Sequence, residues 1–97
     1  MPELLSDEDL GKALSTLPDW TREGSALVRT VELDNFPQAI QVVNRVAEIA
    51  ENDNHHPDID IRWRTLTFRC STHSEGGITS FDVTLAEEID GVVDAIS

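Results

Sequence analysis

The chain has 97 residues, 39% of them hydrophobic, with 19 acidic side chains against 7 basic ones and a formal net charge of -12. That length supports one domain, residues 1–97, with a small core, and the charge disfavours nucleic-acid backbones and anionic membrane surfaces as partners, because both repel an acidic protein. The lone cysteine, Cys70, excludes an internal disulfide and a Cys-based zinc site, while the acidic N-terminus and the absence of an apolar run near ~20 residues argue for a soluble protein of the reducing cytoplasm.

Ser6 and Asp9 form a capping-box pattern, so a first helix starts there; Leu10, Ala13, Leu14 and Leu17 share its apolar face, and Pro18 stops it. Residues 20–23 and 25–33 flank Glu23-Gly24 as two strands of a hairpin, with Leu27, Val31 and Leu33 on one parity. Asp34 or Asn35 caps a longer helix with Pro37 in its first turn. Its broad apolar stripe, from Ala39 and Val42 to Val46 and Ala50, needs a sheet or another helix to cover it. Pro57 requires the helix to end by His56.

Residues 59–72 read as a strand whose apolar parity slips: Ile59, Ile61 and Trp63 are odd, whereas Leu66, Phe68 and Cys70 are even. The slip predicts a bulge near Arg64-Thr65 or an irregular lead-in. After the turn at residues 74–77, a last strand carries Phe81, Val83 and Leu85, in a register that sets Leu66 opposite Leu85, Phe68 opposite Val83 and Arg69 opposite Asp82. Thr84 and Glu87 then cap a final helix with Leu85, Ile89, Val92, Val93 and Ile96 inward. The order α-β-β-α-β-β-α implies an α+β fold: a four-stranded antiparallel sheet with helices packed on one face. Its two open edges predict self-association.

The three histidines cluster in the second half, as a tandem, His55-His56, and as His73, 17 residues after His56. Taken alone, the tandem is also an ordinary helix-terminating pair and His73 an ordinary loop residue, and their spacing matches no recognised zinc pattern. Glu51, four residues before His55, reaches that imidazole if the helix continues so far.

The segment AENDNHHPDIDIRWRTLTFRCSTHSEGGITSFDVTLAEEID, residues 50–90, resembles the pterin-4a-carbinolamine dehydratase family, whose hallmark is E-x-x-x-H-H-P followed by T-H-x-x-x-G-[LI]-[ST]-x-x-D-x-x-L-A. Trp20 and the DNF segment at residues 34–36 extend the likeness over most of the chain. It departs at Asn54, where some relatives carry aspartate, and at Trp63, where tyrosine is common. The resemblance implies an enzyme that removes water from 4a-hydroxytetrahydropterin to give quinonoid dihydropterin, in tetrahydrobiopterin recycling. It implies no metal and no cofactor, and a homodimer or homotetramer. It assigns His55, His56 and His73 as catalytic, with His55 and His73 the acid/base pair and His56 mainly holding the pterin. Asn54, Ser71, Thr72 and Ser74 join the histidines in binding substrate, and Glu51 and Asp82 become carboxylates that orient imidazoles. A structural Arg69–Asp82 pair rivals that role for Asp82. Two further readings stand beside the enzyme: a protein-interaction module of the transcription-factor dimerisation type, and a noncatalytic pterin binder.

Overall fold

In the computed structural model, which describes residues 2–97, Ser6 begins the first helix, α1 (Asp7–Ser15), its hydroxyl accepting from the Asp9 amide at 3.1 Å. Asp7, Glu8 and Asp9 in the first turn suit the positive end of the helix dipole. The chain then enters a hairpin of β1 (Thr21–Glu23) and β2 (Ala26–Glu32), in which Glu23 pairs with Ala26. Gly24 takes a left-handed φ of 61° in the two-residue turn, a conformation glycine adopts without steric cost. Asn35, the second of the two predicted caps, starts α2 (Phe36–Asp53) by accepting from the Gln38 amide at 2.8 Å. Ala39, Val42, Val46 and Ala50 are its buried stripe.

The second hairpin differs from the expected one. Strands β3 (Asp58–Arg62) and β4 (Thr65–Cys70) pair antiparallel through Ile59↔Phe68 and Ile61↔Leu66. The parity slip is therefore a chain reversal and not a bulge: across a two-residue turn, odd residues on one strand face even residues on the other. Trp63 makes that turn with a φ of 56°, and its exposed ring lies 5.3 Å from the Arg64 guanidinium. Sheet order is β1-β2-β4-β3, all antiparallel, with β4 central.

The expected strand through Phe81, Val83 and Leu85 belongs instead to a helix, α3 (Ser80–Ile96). Its buried residues, Asp82, Leu85, Ala86, Ile89, Val92 and Val93, recur at helical spacing, and the cap is Thr79 with Asp82, not Thr84 with Glu87. The apolar alternation over 81–85 was too short to separate the two periods. Phe68 is buried and Arg69 exposed, as expected, and Val83 packs partly buried against the core; Asp82, expected to face away, is fully buried. Arg69 pairs with Glu23 at 3.5 Å, so the rival Arg69–Asp82 pair does not form.

The three helices and the four-stranded antiparallel sheet make the α+β fold that the pattern predicts. The core lies where Leu27, Leu66, Phe68 and Cys70 meet Val42, Val46, Leu85 and Ile89. Arg29 also points into this side of β2, and Asp90 of α3 answers it while accepting the Trp20 indole N–H at 2.8 Å. No helix among the described residues is long and apolar enough to cross a membrane.

Phe68→Ala removes a fully buried ring from the central strand and should cost about 3–5 kcal/mol in urea denaturation, a large part of the ~5–15 kcal/mol typical of a domain. Arg69→Ala, one residue on and exposed, should cost less than about 1 kcal/mol.

Candidate functional site

Three chain segments converge at one end of the sheet: the C-terminus of α2, the loop after β4 and the N-terminus of α3. The helix α2 ends because Asn54 adopts a left-handed φ of 53°, and the His55 amide then reaches back to the Ala50 carbonyl at 3.1 Å. Asparagine tolerates that conformation better than most side chains. Pro57 favours an extended His56, and consecutive side chains of an extended segment point to opposite sides. The tandem is thereby split. His55 turns inward, its side chain 14% exposed, and meets Asp82 Oδ1 through Nε2 at 2.6 Å. His56 turns outward, 55% exposed, and meets Glu51 Oε1 at 2.7 Å. Glu51 therefore serves His56 and not His55, because the helix does not continue far enough to make the four-residue pair.

Asp82 sits in the first turn of α3, where the helix dipole favours a negative charge. Its Oδ2 accepts from the Thr79 amide at 2.9 Å and from the Thr72 hydroxyl at 2.8 Å. Thr72 has one hydroxyl proton, and it goes to Asp82; the 2.7 Å contact between the Thr72 and Thr79 hydroxyls is therefore donated by Thr79. Thr79 Oγ1 in turn accepts from the Phe81 amide at 3.2 Å. Every donor in this chain points toward the carboxylate. With Asp82 accepting, His55 carries its proton on Nε2 and leaves Nδ1 as the ring nitrogen available to a ligand. The Phe81 ring packs edge-on against His55, with centroids 5.7 Å apart.

The loop after β4 brings the third histidine. The Thr72 amide bonds the Gly77 carbonyl at 2.8 Å, closing a small loop over a 3-10 turn at His73–Glu75 that ends on Gly76 at a φ of 72°. His73 projects from it, exposed. A cleft of about 300 Å³ results, at the lower end of the range for small-molecule sites. Asn54, His55, His56, Pro57 and Asp58 form one wall, and Ser71, Thr72, His73 and Ser74 form the other. All seven residues singled out as substrate-binding thus line one cleft, as do the three candidate catalytic histidines. Thr72 contributes shape alone: its hydroxyl, amide and carbonyl are all engaged within the protein. Among the described residues, no group of three or more His, Cys, Asp or Glu side chains converges as metal ligands would.

Thr79, Phe81 and Asp58 were not anticipated at the site. The T-x-x-D spacing of Thr79 and Asp82 was the available signal for the first, masked by the apparent strand. Cys70, under the cleft on β4, is buried; burial and then the nearby Asp82 push its thiol far above the usual range, so it is not a nucleophile.

The sequence model of the family described as pterin 4 alpha carbinolamine dehydratase matches residues 3–92. A Nocardia farcinica protein provisionally named pterin-4-alpha-carbinolamine dehydratase is 61% identical over 88 residues, 91% of this chain and 93% of its own length. One of the same provisional name from Mycobacteroides abscessus is 60% identical over 87 residues, 90% of this chain and 93% of its own. Among solved structures, a Brucella melitensis protein described as a transcriptional coactivator/pterin dehydratase superposes with a TM-score of 0.90 at 25% identity, covering 93% of this chain and 98% of that one. A pterin dehydratase-like protein identified as a RuBisCO assembly factor in the alpha-carboxysome shares the fold, with a TM-score of 0.64 at 12% identity over 75% of this chain and 84% of that one.

Thr79→Ala removes both the cap of α3 and the donor to Thr72, and should cost about 0.5–2 kcal/mol by urea denaturation. Thr79→Ser, which keeps the hydroxyl, should recover most of it.

Proposed function

Because the chain belongs to the pterin 4 alpha carbinolamine dehydratase family, we propose that it removes water from a 4a-hydroxytetrahydropterin to give the quinonoid dihydropterin, by proton transfer through the histidines of the cleft. The observation that carries this reading is His55, held through Nε2 by a fully buried carboxylate and lining the same cleft as His56 and His73.

Dehydration breaks the bond from the carbinol carbon to oxygen; the electron pair leaves with the oxygen, which takes up a proton and departs as water. The neighbouring ring N–H gives up its proton, and its electrons close a C=N bond. No electron is exchanged with a redox partner, and the scheme uses neither a metal nor a cofactor. Imidazole, with a pKa of about 6.5 when free, suits both transfers near neutral pH. His55, with its lone pair on Nδ1, accepts the ring proton, and His73 delivers the other to the leaving oxygen. His56, braced by Glu51, holds the pterin, and Asn54, Ser71, Thr72 and Ser74 shape its seat. Asp82 keeps the His55 ring in one orientation and one tautomer. The cellular role that goes with this chemistry is the recycling of tetrahydrobiopterin after aromatic hydroxylation, in the cytoplasm.

The Brucella neighbour's description supports a second reading, in which an outer surface of the same fold serves as a protein-interaction module. The histidines separate the two. His55→Ala and His73→Ala should each lower kcat, by up to roughly 100–10,000-fold, with pterin affinity largely kept, because proton transfer is a transition-state interaction. His56→Ala should raise KM more than it lowers kcat. The folded double variant His55→Ala, His73→Ala should run near the uncatalysed rate in a direct dehydration assay; a double variant at the wild-type rate would sink the mechanism and move the interaction reading ahead.

Self-association belongs to the same proposal. The strands β1 and β3 leave both sheet edges unpaired, and open edges invite pairing with another chain. Sedimentation at micromolar concentration and moderate salt should give a dimer or tetramer; a monomer would count against it.

A further inference from the structure

His55 stands between two clefts. Besides the one shared with His73, a second of about 330 Å³ opens on the α3 side, lined by Asp53, His55, Phe81, Thr84 and Glu88. Asp53 is the last residue of α2; Glu88 lies on α3 six residues past Asp82, or roughly 9 Å further along the helix axis. The α2 terminus therefore meets α3 twice, once through His55 and Asp82 and once through Asp53 and Glu88.

The second meeting is chemically unusual. Both partners are carboxyls lining one cleft across the helix contact, and neither can donate when ionised. Asp53 is exposed, but Glu88 is half-buried, and its Oε1 is shut off from solvent with no donor among the described residues. Among the described residues no cation pairs with it. Arg45 of α2 lines the groove on the other side of Glu88 but is turned to Glu48 at 3.9 Å. His55 is engaged by Asp82, and Glu87, beside Glu88 on α3, adds repulsion. An ionised Glu88 would leave a desolvated oxygen facing a second negative charge, whereas one proton between the carboxyls removes both costs.

We propose that Asp53 and Glu88 share a proton across the α2–α3 contact, and that this proton is a pH-sensitive clasp on the chain turn that aims His55 into the cleft. The clasp stands on the cleft that the two carboxyls share and on the buried, donorless oxygen of Glu88; its bearing on catalysis rests on the dehydratase reading. Burial first, then the hydrogen bond and charge of Asp53 and the charge of Glu87, push the Glu88 carboxyl up to about 7 from its ordinary 4.5. The folded chain thus holds a proton that the unfolded chain releases. The stability the clasp supplies is complete below about 4.5, falls as the pH rises, and is gone above about 7.

The test is a pair of near-isosteric variants followed by thermal melting and NMR. Glu88→Gln offers Asp53 an N–H at every pH. Its Tm should match that of the wild type near pH 5 and exceed it by about 4 °C or more at pH 8. The Glu88 carboxyl carbon should titrate near 7 in the wild type and distinctly lower in Asp53→Asn. The His55 ring resonances should follow that titration in the wild type, and the step should vanish in Glu88→Gln. A Glu88 carbon titrating in the ordinary carboxylate range, or Tm curves for wild type and Glu88→Gln that run parallel from pH 5 to 8, overturns the shared proton. A His55 ring indifferent to Glu88 overturns the clasp. In dehydration assays the wild type should lose rate relative to Glu88→Gln as the pH rises through 7, and equal profiles overturn the catalytic link. Absence of dehydration in both proteins at every pH would instead reject the dehydratase reading and leave the melting and NMR results to stand for the clasp.

Discussion

A carboxylate with no exposed surface must be answered by donors or not exist, and Asp82 is that carboxylate. Its partners come from all the segments that build the cleft: an imidazole from the end of α2, a hydroxyl from the loop after β4, and an amide from the start of α3. Satisfying the charge and assembling the cleft are therefore one event. Breaking any single arm leaves a buried charge partly unpaired, so a substitution at an arm lowers stability as well as loosening the cleft.

Much of the architecture was legible because its signals are local. Ser6, Asn35 and Gly24 each act within three or four residues, and their elements stand where the pattern put them. The second hairpin failed for a physical reason. Its turn is Trp63-Arg64, and a tryptophan at a φ of 56° carries none of the glycine, asparagine or proline chemistry by which turns are recognised. With the reversal hidden, the pattern reads as one continuous strand, and the alternation that resembles its partner lies in residues that coil into α3.

At the site, the histidines and Asp82 were legible as residue types at fixed spacing, but their pairings were not. Glu51 was matched to His55 by counting along a helix, whereas the left-handed Asn54 rotates the chain and delivers His56 to it instead. A strand period sets Asp82 opposite Arg69, whereas the helix α3 turns it inward to His55. In both cases the spacing was correct and the backbone period was wrong, and the direction of every side chain follows from the period. The Asp53–Glu88 contact lay beyond pattern reading altogether, since it joins residues 35 positions apart on two helices.

The Trp63 turn also orders the sheet in energy. An L residue in the left-handed region carries a penalty of roughly 1–2 kcal/mol, and β3 offsets it with hydrogen bonds to a single neighbour and with a half-buried Ile59. Strand β4, by contrast, is held on both sides and covered by helices. The strand β3 is thus, with the shorter β1 at the other edge, a margin of the sheet that opens at less cost than β4, and local opening runs from such margins inward. Pro57 and Asp58, which wall the cleft beside the histidines, are the residue before that strand and its first residue. One wall of the cleft runs on from the doubly paired β4, and the other is pinned at His55 by Asp82 and runs on into the singly paired β3. The cleft thus spans the two extremes of the sheet, its most heavily paired strand on one side and a singly paired margin on the other.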